Sequence, residues 1–100
     1  MGLGYALTEE FVMERGINRT NLLSKCGVPT IDDTLDVDVI LVEDPEPEGP
    51  FGAKGISEVG LIPTVPAITN AIYNAVGARI KDLPAKKERV LAVLREKGRL

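Results

Sequence analysis

Residues 45–60 read PEPEGPFGAKGISEVG, with three prolines and four glycines in sixteen positions. Regular structure does not run through such a stretch. Each proline lacks an N–H and holds its predecessor extended, and glycine loses the most freedom when fixed. The chain is thereby divided into a part before Pro45 and a part after Gly60, joined by a loop. Four glycines exceed what one turn needs. Either the backbone bends several times here, or something large lies against it.

The first part opens on MGLGYALTEEFVMERG, where Leu3, Leu7 and Phe11 fall four apart and Ala6 fills the same face. This spacing predicts an amphipathic helix ended by Gly16, with Gly2 and Gly4 marking close backbone packing at its start. A loop follows, with turn residues at Gly27, Val28 and Pro29 and at Asp32 and Asp33. LDVDVILVED, residues 35–44, then predicts a strand. Val37, Val39 and Leu41 take one face; Asp36, Asp38, Ile40 and Val42 take the other. That second face turns from polar to apolar along its length, as expected where one end is buried on both sides.

Beyond Gly60, LIPTVPAITNAIYNAVG predicts a helix with Thr64 as N-cap, Pro66 in the first turn and Gly77 as the stop. Ile68, Ala71, Ile72, Ala75 and Val76 form its buried stripe, and the alanines admit a close neighbour. A last helix is expected over 84–97, with Val90, Leu91 and Leu94 inward, inside a basic C-terminal segment over 84–100. There is no internal repeat. The expected class is α+β: a single segment over 1–100, with about three helices and one or two strands.

Charge is unevenly spread. Residues 1–78 carry twelve acids against four bases, and residues 79–100 carry eight bases against three acids. A basic tail suits nucleic acid or an acidic partner. It holds no aromatic side chain for base stacking, so a solvated helix face is the simpler account and no nucleic-acid partner is expected. No apolar run of membrane-spanning length and no signal-peptide pattern is expected either. Cys26 is the only cysteine, which rules out an internal disulfide and suits a cytoplasmic setting.

The chain has no histidine. Imidazole bases, Ser-His and Cys-His pairs and the usual zinc sites are therefore excluded, and proton transfer falls to a carboxylate, Lys, Tyr or Cys26. Lys54 sits between Ala53 and Gly55 without the Ser or Thr of a phosphate loop, and Gly49, Gly52 and Gly55 are spaced GxxGxxG rather than GxGxxG. Backbone N–H groups there remain able to cradle an anion. Asp32, Asp33, Asp36 and Asp38 lack the spacing of a calcium loop and read as turn and strand residues, so no metal ligand is assigned. Cys26 reads as structural. Glu58 remains, in a loop that hands over to an apolar helix; a carboxylate in a water-poor place serves as a base. A surface glutamate is the plain alternative.

The stretch GPFGAKGISEVGLIPTVPAITNAIYNAVGARI, residues 49–80, resembles the C-terminal part of the molybdenum-binding (large) subunit of the xanthine dehydrogenase / aldehyde oxidase family. That family carries a stretch like PxGAKGxGE, a proline-containing loop and an alanine-rich helix ending in AVGxR. GLGYALTEEF and SKCGVPTIDDTLDVDV resemble preceding pieces in the same order, so the resemblance covers all but roughly the last fifteen residues.

The resemblance implies part of a larger molybdopterin-binding domain in a molybdenum hydroxylase, which oxidises a C–H of an aldehyde or N-heterocycle with water-derived oxygen. Glu58 falls on the family's general base, which deprotonates the molybdenum-bound hydroxide; Gly55, Ile56 and Ser57 fall beside the molybdenum–pterin cofactor. The glycines then let backbone pass a bulky cofactor, and Lys54 fixes the loop. The cofactor is shared with the remaining upstream molybdenum-binding chain, and iron–sulfur clusters and FAD lie on partner domains or subunits. Ser57 stands where the family often has glycine, and Met1 where xanthine-oxidising members carry glutamine, which weakens xanthine as the substrate. Family subunits are far longer. The expectation is a split-gene subunit or a truncated reading frame, inactive as an isolated chain. The competing expectation is a non-enzymatic fragment acting as an interaction module through its basic helix.

Overall fold

The computed structural model describes residues 1–99. Leu100, the last residue of the basic segment expected over 84–100, lies outside the described residues. The elements are α1 (Gly2–Leu7), β1 (Met13–Glu14), β2 (Ile17–Asn18), α2 (Leu23–Cys26), α3 (Thr64–Val76) and α4 (Lys87–Glu96). Single 3-10 turns lie at Ile31–Asp33, Pro50–Gly52 and Val59–Leu61. The α+β class holds, with helices and one two-stranded antiparallel sheet among the described residues.

α1 stops at Leu7 and does not reach Gly16. The N–H groups of Thr8 and Glu9 both bond the Gly4 carbonyl, at 2.9 and 2.8 Å, and the Glu10 N–H then turns to Cys26 O at 3.0 Å. The carboxylate of Glu10 is held by Lys86 and Arg89. Tertiary partners thus take over where helical ones would have continued. Arg15 and Gly16 follow with φ of 51° and 79°, two successive left-handed residues that turn the chain into a hairpin pairing Met13 with Asn18 and Glu14 with Ile17. Gly16 is a hairpin turn residue, not a helix stop.

The strand expected over 35–44 does not form. The chain runs from Thr34 to Glu46 without helix, turn or bend, but among the described residues no strand pairs with it. A strand needs a paired neighbour, whatever its own propensity.

α3 matches expectation in extent and in its stop at left-handed Gly77. Its N-cap is Pro63, with Thr64 as the first helical residue and no side-chain cap. α1 packs against α3, and their approach is close. A Cβ on Gly2 would lie 2.6 Å from both Cβ and Cγ2 of Thr64. Of the expected stripe, Ile68 and Ile72 are half-buried while Ala71, Ala75 and Val76 stay exposed, because this chain supplies too little to cover that face.

The buried apolar residues are Ala6, Ala78, Ile80 and Ala85. Leu7, Ile72, Val90, Val93 and Leu94 pack on the Ala78–Ile80–Ala85 cluster, and the Ala85 N–H ties it to Ala6 O at 2.6 Å. Such a core is small for this length. The radius of gyration is 17.8 Å, against about 13 Å for a compact chain of this length. The accessible surface is 8469 Å², against roughly 5,500 Å² for a compact monomer of this mass.

Much of the basic tail is engaged internally. Lys97 Nζ donates to Gly77 O at 2.8 Å and Arg99 Nη1 to Val76 O at 3.1 Å, so two cations cap the carbonyl end of α3. Arg79 bonds Asn70 and stacks 3.7 Å above the Tyr73 ring. By length and composition Val59–Val76, 18 residues, is apolar enough to cross a membrane, where no such run was expected. Its first residues form a 3-10 turn. α3 alone has 13 residues, about 20 Å of helix against about 30 Å of hydrocarbon.

Candidate functional site

The glycine-rich loop splits into two parts with different physics. From Asp44 to Lys54 it is closed on itself. Glu46 N–H donates to Gly52 O, Gly49 N–H to Glu46 O and Gly52 N–H to Gly49 O, each at 3.1 Å, and Ala53 N–H donates to Pro50 O at 3.0 Å. Lys54 Nζ pairs with the Asp44 carboxylate and shuts the loop at its base, the loop-fixing part expected of it. Phe51 and Gly52 take left-handed φ of 56° and 74° at the tip. Phe51 is fully exposed there. Repeated bending accounts for the glycines in this half.

From Lys54 to Glu58 the loop is open. The five backbone N–H groups of Lys54, Gly55, Ile56, Ser57 and Glu58 donate to no protein group among the described residues. A Cβ added at Gly55 or Gly60 would meet nothing within 4 Å. Nothing in this chain requires glycine at either position through crowding. Gly55, Ile56, Ser57 and Glu58 are all exposed.

Glu58 has φ −100° and ψ −5° and opens the 3-10 turn Val59–Leu61, its carbonyl accepting from the Leu61 N–H at 2.9 Å. That turn runs through Ile62 and Pro63 into α3, whose Thr64 hydroxyl donates to Gly60 O at 3.4 Å. The side chain makes no hydrogen bond or ion pair among the described residues. The water-poor surroundings expected for Glu58 are therefore not supplied by this chain. Its residues bring Gly55, Ile56, Ser57 and Glu58 together as one exposed run, with no second titratable group bonded to Glu58.

The other candidates have structural occupations. The Asp33 carboxylate accepts from the Thr30 N–H at 2.8 Å and from its hydroxyl at 2.9 Å, and those bonds hold its pKa below the usual aspartate value. Asp36 and Asp38 are exposed. No group of His, Cys, Asp and Glu fit for a metal ion occurs among the described residues. The Cys26 thiol, half-buried, donates to Thr20 O at 3.0 Å.

Two features escaped the sequence pattern. Glu10 accepts from Lys86 and Arg89, and the Lys86 hydrogen bond above all holds its pKa below the usual glutamate value. An open apolar groove of about 530 Å³ runs between α1, α3 and the 28–37 loop, lined by Met1, Leu3, Val28, Leu35, Val37 and Ile68. These residues come from distant positions with no shared period, so no local signal announces the groove.

No family model matches the chain. It is 42% identical over 95 residues to an aldehyde oxidoreductase of Megalodesulfovibrio gigas, a match covering 94% of this chain and 10% of that protein. It is 37% identical over 98 residues to a probable xanthine dehydrogenase subunit of Bacillus subtilis, covering 98% of this chain and 13% of the relative. It is 36% identical over 94 residues to an aldehyde oxidoreductase molybdenum-binding subunit of Escherichia coli, covering 91% and 13%. The chain spans about a tenth of the length of the curated relatives it matches.

Proposed function

From its homology to one segment of the molybdenum-binding subunits of the xanthine dehydrogenase / aldehyde oxidase family, we propose that this chain forms one wall of a molybdenum hydroxylase site. The reaction is oxidation of a C–H of an aldehyde or N-heterocycle with oxygen from water, and Glu58 is its general base. One observation carries this reading beyond the homology. The backbone is closed by its own hydrogen bonds up to Lys54, then leaves five amides and the space beside Gly55 open up to Glu58.

That opening fits a large anionic cofactor such as a molybdenum–pterin. When bound, the cofactor supplies the two-electron oxidation. Gly55, Ile56 and Ser57 contribute backbone N–H groups to anionic groups beside them. Glu58 accepts, at a carboxylate oxygen, the proton that the water-derived nucleophile gives up. The turn Val59–Leu61 places the Glu58 backbone just ahead of α3. Water is excluded once the rest of the subunit covers the loop, so the isolated chain is inactive. The remaining molybdenum-binding polypeptide, an iron–sulfur protein and a flavin protein are the partners, in a cytoplasmic setting without membrane or nucleic acid.

The second reading is a non-enzymatic fragment that acts through its basic helix. Its support is the small core and the large exposed surface. Against it, Arg79, Lys86, Arg89, Lys97 and Arg99 already serve internal bonds. Co-expression with the polypeptide encoded upstream separates the two. The enzyme reading expects bound molybdenum and substrate-dependent dye reduction, lost in Glu58→Gln with the metal retained. Full activity in that variant sinks the base assignment, and absence of any complex favours the fragment.

A further inference from the structure

We propose that residues 35–43 are a β-strand completed by the remainder of the molybdenum-binding subunit, adding to an exposed sheet edge there. The inference rests on the assembly reading above and names the contact through which assembly occurs. Between Leu35 and Asp44 no backbone N–H donates to, and no backbone carbonyl accepts from, any protein group among the described residues. Ten successive residues thus present an unused ladder. No helix, turn or bend interrupts the path from Thr34 to Glu46.

The side chains on this ladder are not those of a solvated loop. Val39 is 75% exposed, and Ile40, Leu41 and Val42 are each at least 85% exposed. Successive β-branched and aliphatic residues have the composition of a buried strand. Left bare, such a segment pairs with whatever edge it meets. Because both the ladder and the side chains need cover, the occupant is a β-strand edge rather than a helix or a small molecule.

The alternation describes that edge. Leu35, Val37, Val39 and Leu41 make one face apolar as far as Glu43, so the sheet they join has a covered face over about 20 Å. On the other face Asp36 and Asp38 precede Ile40 and Val42. The receiving sheet is therefore open to water near Asp36 and covered on both sides near Val42. Among the described residues no such edge occurs: the strands, Met13–Glu14 and Ile17–Asn18, are two residues each. The relatives have ample chain to supply one, since the matched segment is 10–13% of their length.

Hydrogen exchange on the chain alone and co-purified with the polypeptide encoded immediately upstream tests this. Wild-type co-purification is measured first; no complex at that stage overturns the assembly reading and this inference with it. In the complex, alternate amides within residues 36–42 are expected to slow at least tenfold. At least one of Val39→Pro and Ile40→Pro, whichever removes an N–H facing the partner, is expected to lower complex yield at least tenfold. Neither substitution is expected to disturb the isolated fold, because Val39 and Ile40 make no backbone hydrogen bond there and lie outside the groove that Leu35 and Val37 line; unchanged helical circular dichroism checks that. A complex that forms with amides 36–42 unprotected, or equally well with both prolines, overturns the strand contact alone. Equal protection in a dimer of the isolated chain assigns the edge to a second copy and also overturns it.

Discussion

Arg89 Nη2 donates to Glu10 Oε1 at 3.0 Å, across 79 positions of sequence. Lys86 Nζ holds the other carboxylate oxygen of the same residue. Together they tie the segment after α1 to the start of α4, beside the Ala6–Ala85 backbone bond. In a chain with so small a core, this polar clasp is a main connection between its two ends.

Acid therefore weakens the clasp. The pKa of Glu10 is held below its ordinary value, first by the Lys86 hydrogen bond. The unfolded chain binds that proton more readily, so the contribution is complete above the ordinary glutamate pKa and is lost as pH falls through the depressed one. Asp33, held down by Thr30, adds in the same direction. Glu10→Gln is expected to lower the melting temperature at neutral pH, with the difference from wild type shrinking as pH falls through the acidic range. A constant difference at all pH values contradicts the ionic account.

The contact between α1 and α3 tolerates no added carbon. A Cβ on Gly2 would lie 2.6 Å from Thr64 Cβ and Cγ2. Gly2→Ala is expected to cost about 1–3 kcal/mol as the helices are forced apart. Thr64→Ala removes Cγ2 and Oγ1 and is expected to recover part of that loss. Denaturant midpoints of the two single variants and the double variant read the coupling. Simple additivity would remove the steric explanation.

Phe51 sits in the left-handed region at φ 56° and packs on nothing. Phe51→Gly relieves roughly 1–2 kcal/mol of backbone strain and loses part of it again to the freer unfolded chain. A net gain of about 1 kcal/mol is about fivefold slower exchange at the Gly52 and Ala53 amides, which close the loop on Gly49 and Pro50. Faster exchange means that the ring supports the loop.

What the sequence disclosed follows from how local each signal is. α3 was legible to within a residue at its end, because Gly77 and the apolar period act within one turn. The hairpin was not, since Arg15–Gly16 has the same glycine signature as a helix stop, and only the pairing of Met13 with Asn18 decides between them. Residues 35–44 have a readable strand pattern, but a strand is a relation between two segments. Lys54 and Asp44, ten residues apart, close a loop that the prolines and glycines foretold without naming the pair. Glu58 stood out by resemblance alone; neither spacing nor its own surroundings distinguish it from a surface glutamate.

That exposure makes the base assignment separable from stability. The Glu58 side chain touches no partner among the described residues, so Glu58→Gln is expected to change the stability of the isolated chain by no more than about 0.5 kcal/mol. Under the proposed base role, the same substitution in the assembled enzyme is expected to lower turnover roughly 10²–10⁴-fold, with molybdenum content unchanged. A structural glutamate would lose metal or assembly together with activity. An idle one would lose nothing. Turnover and bound metal measured on one preparation distinguish all three, and only loss of turnover with the metal in place assigns proton transfer to Glu58.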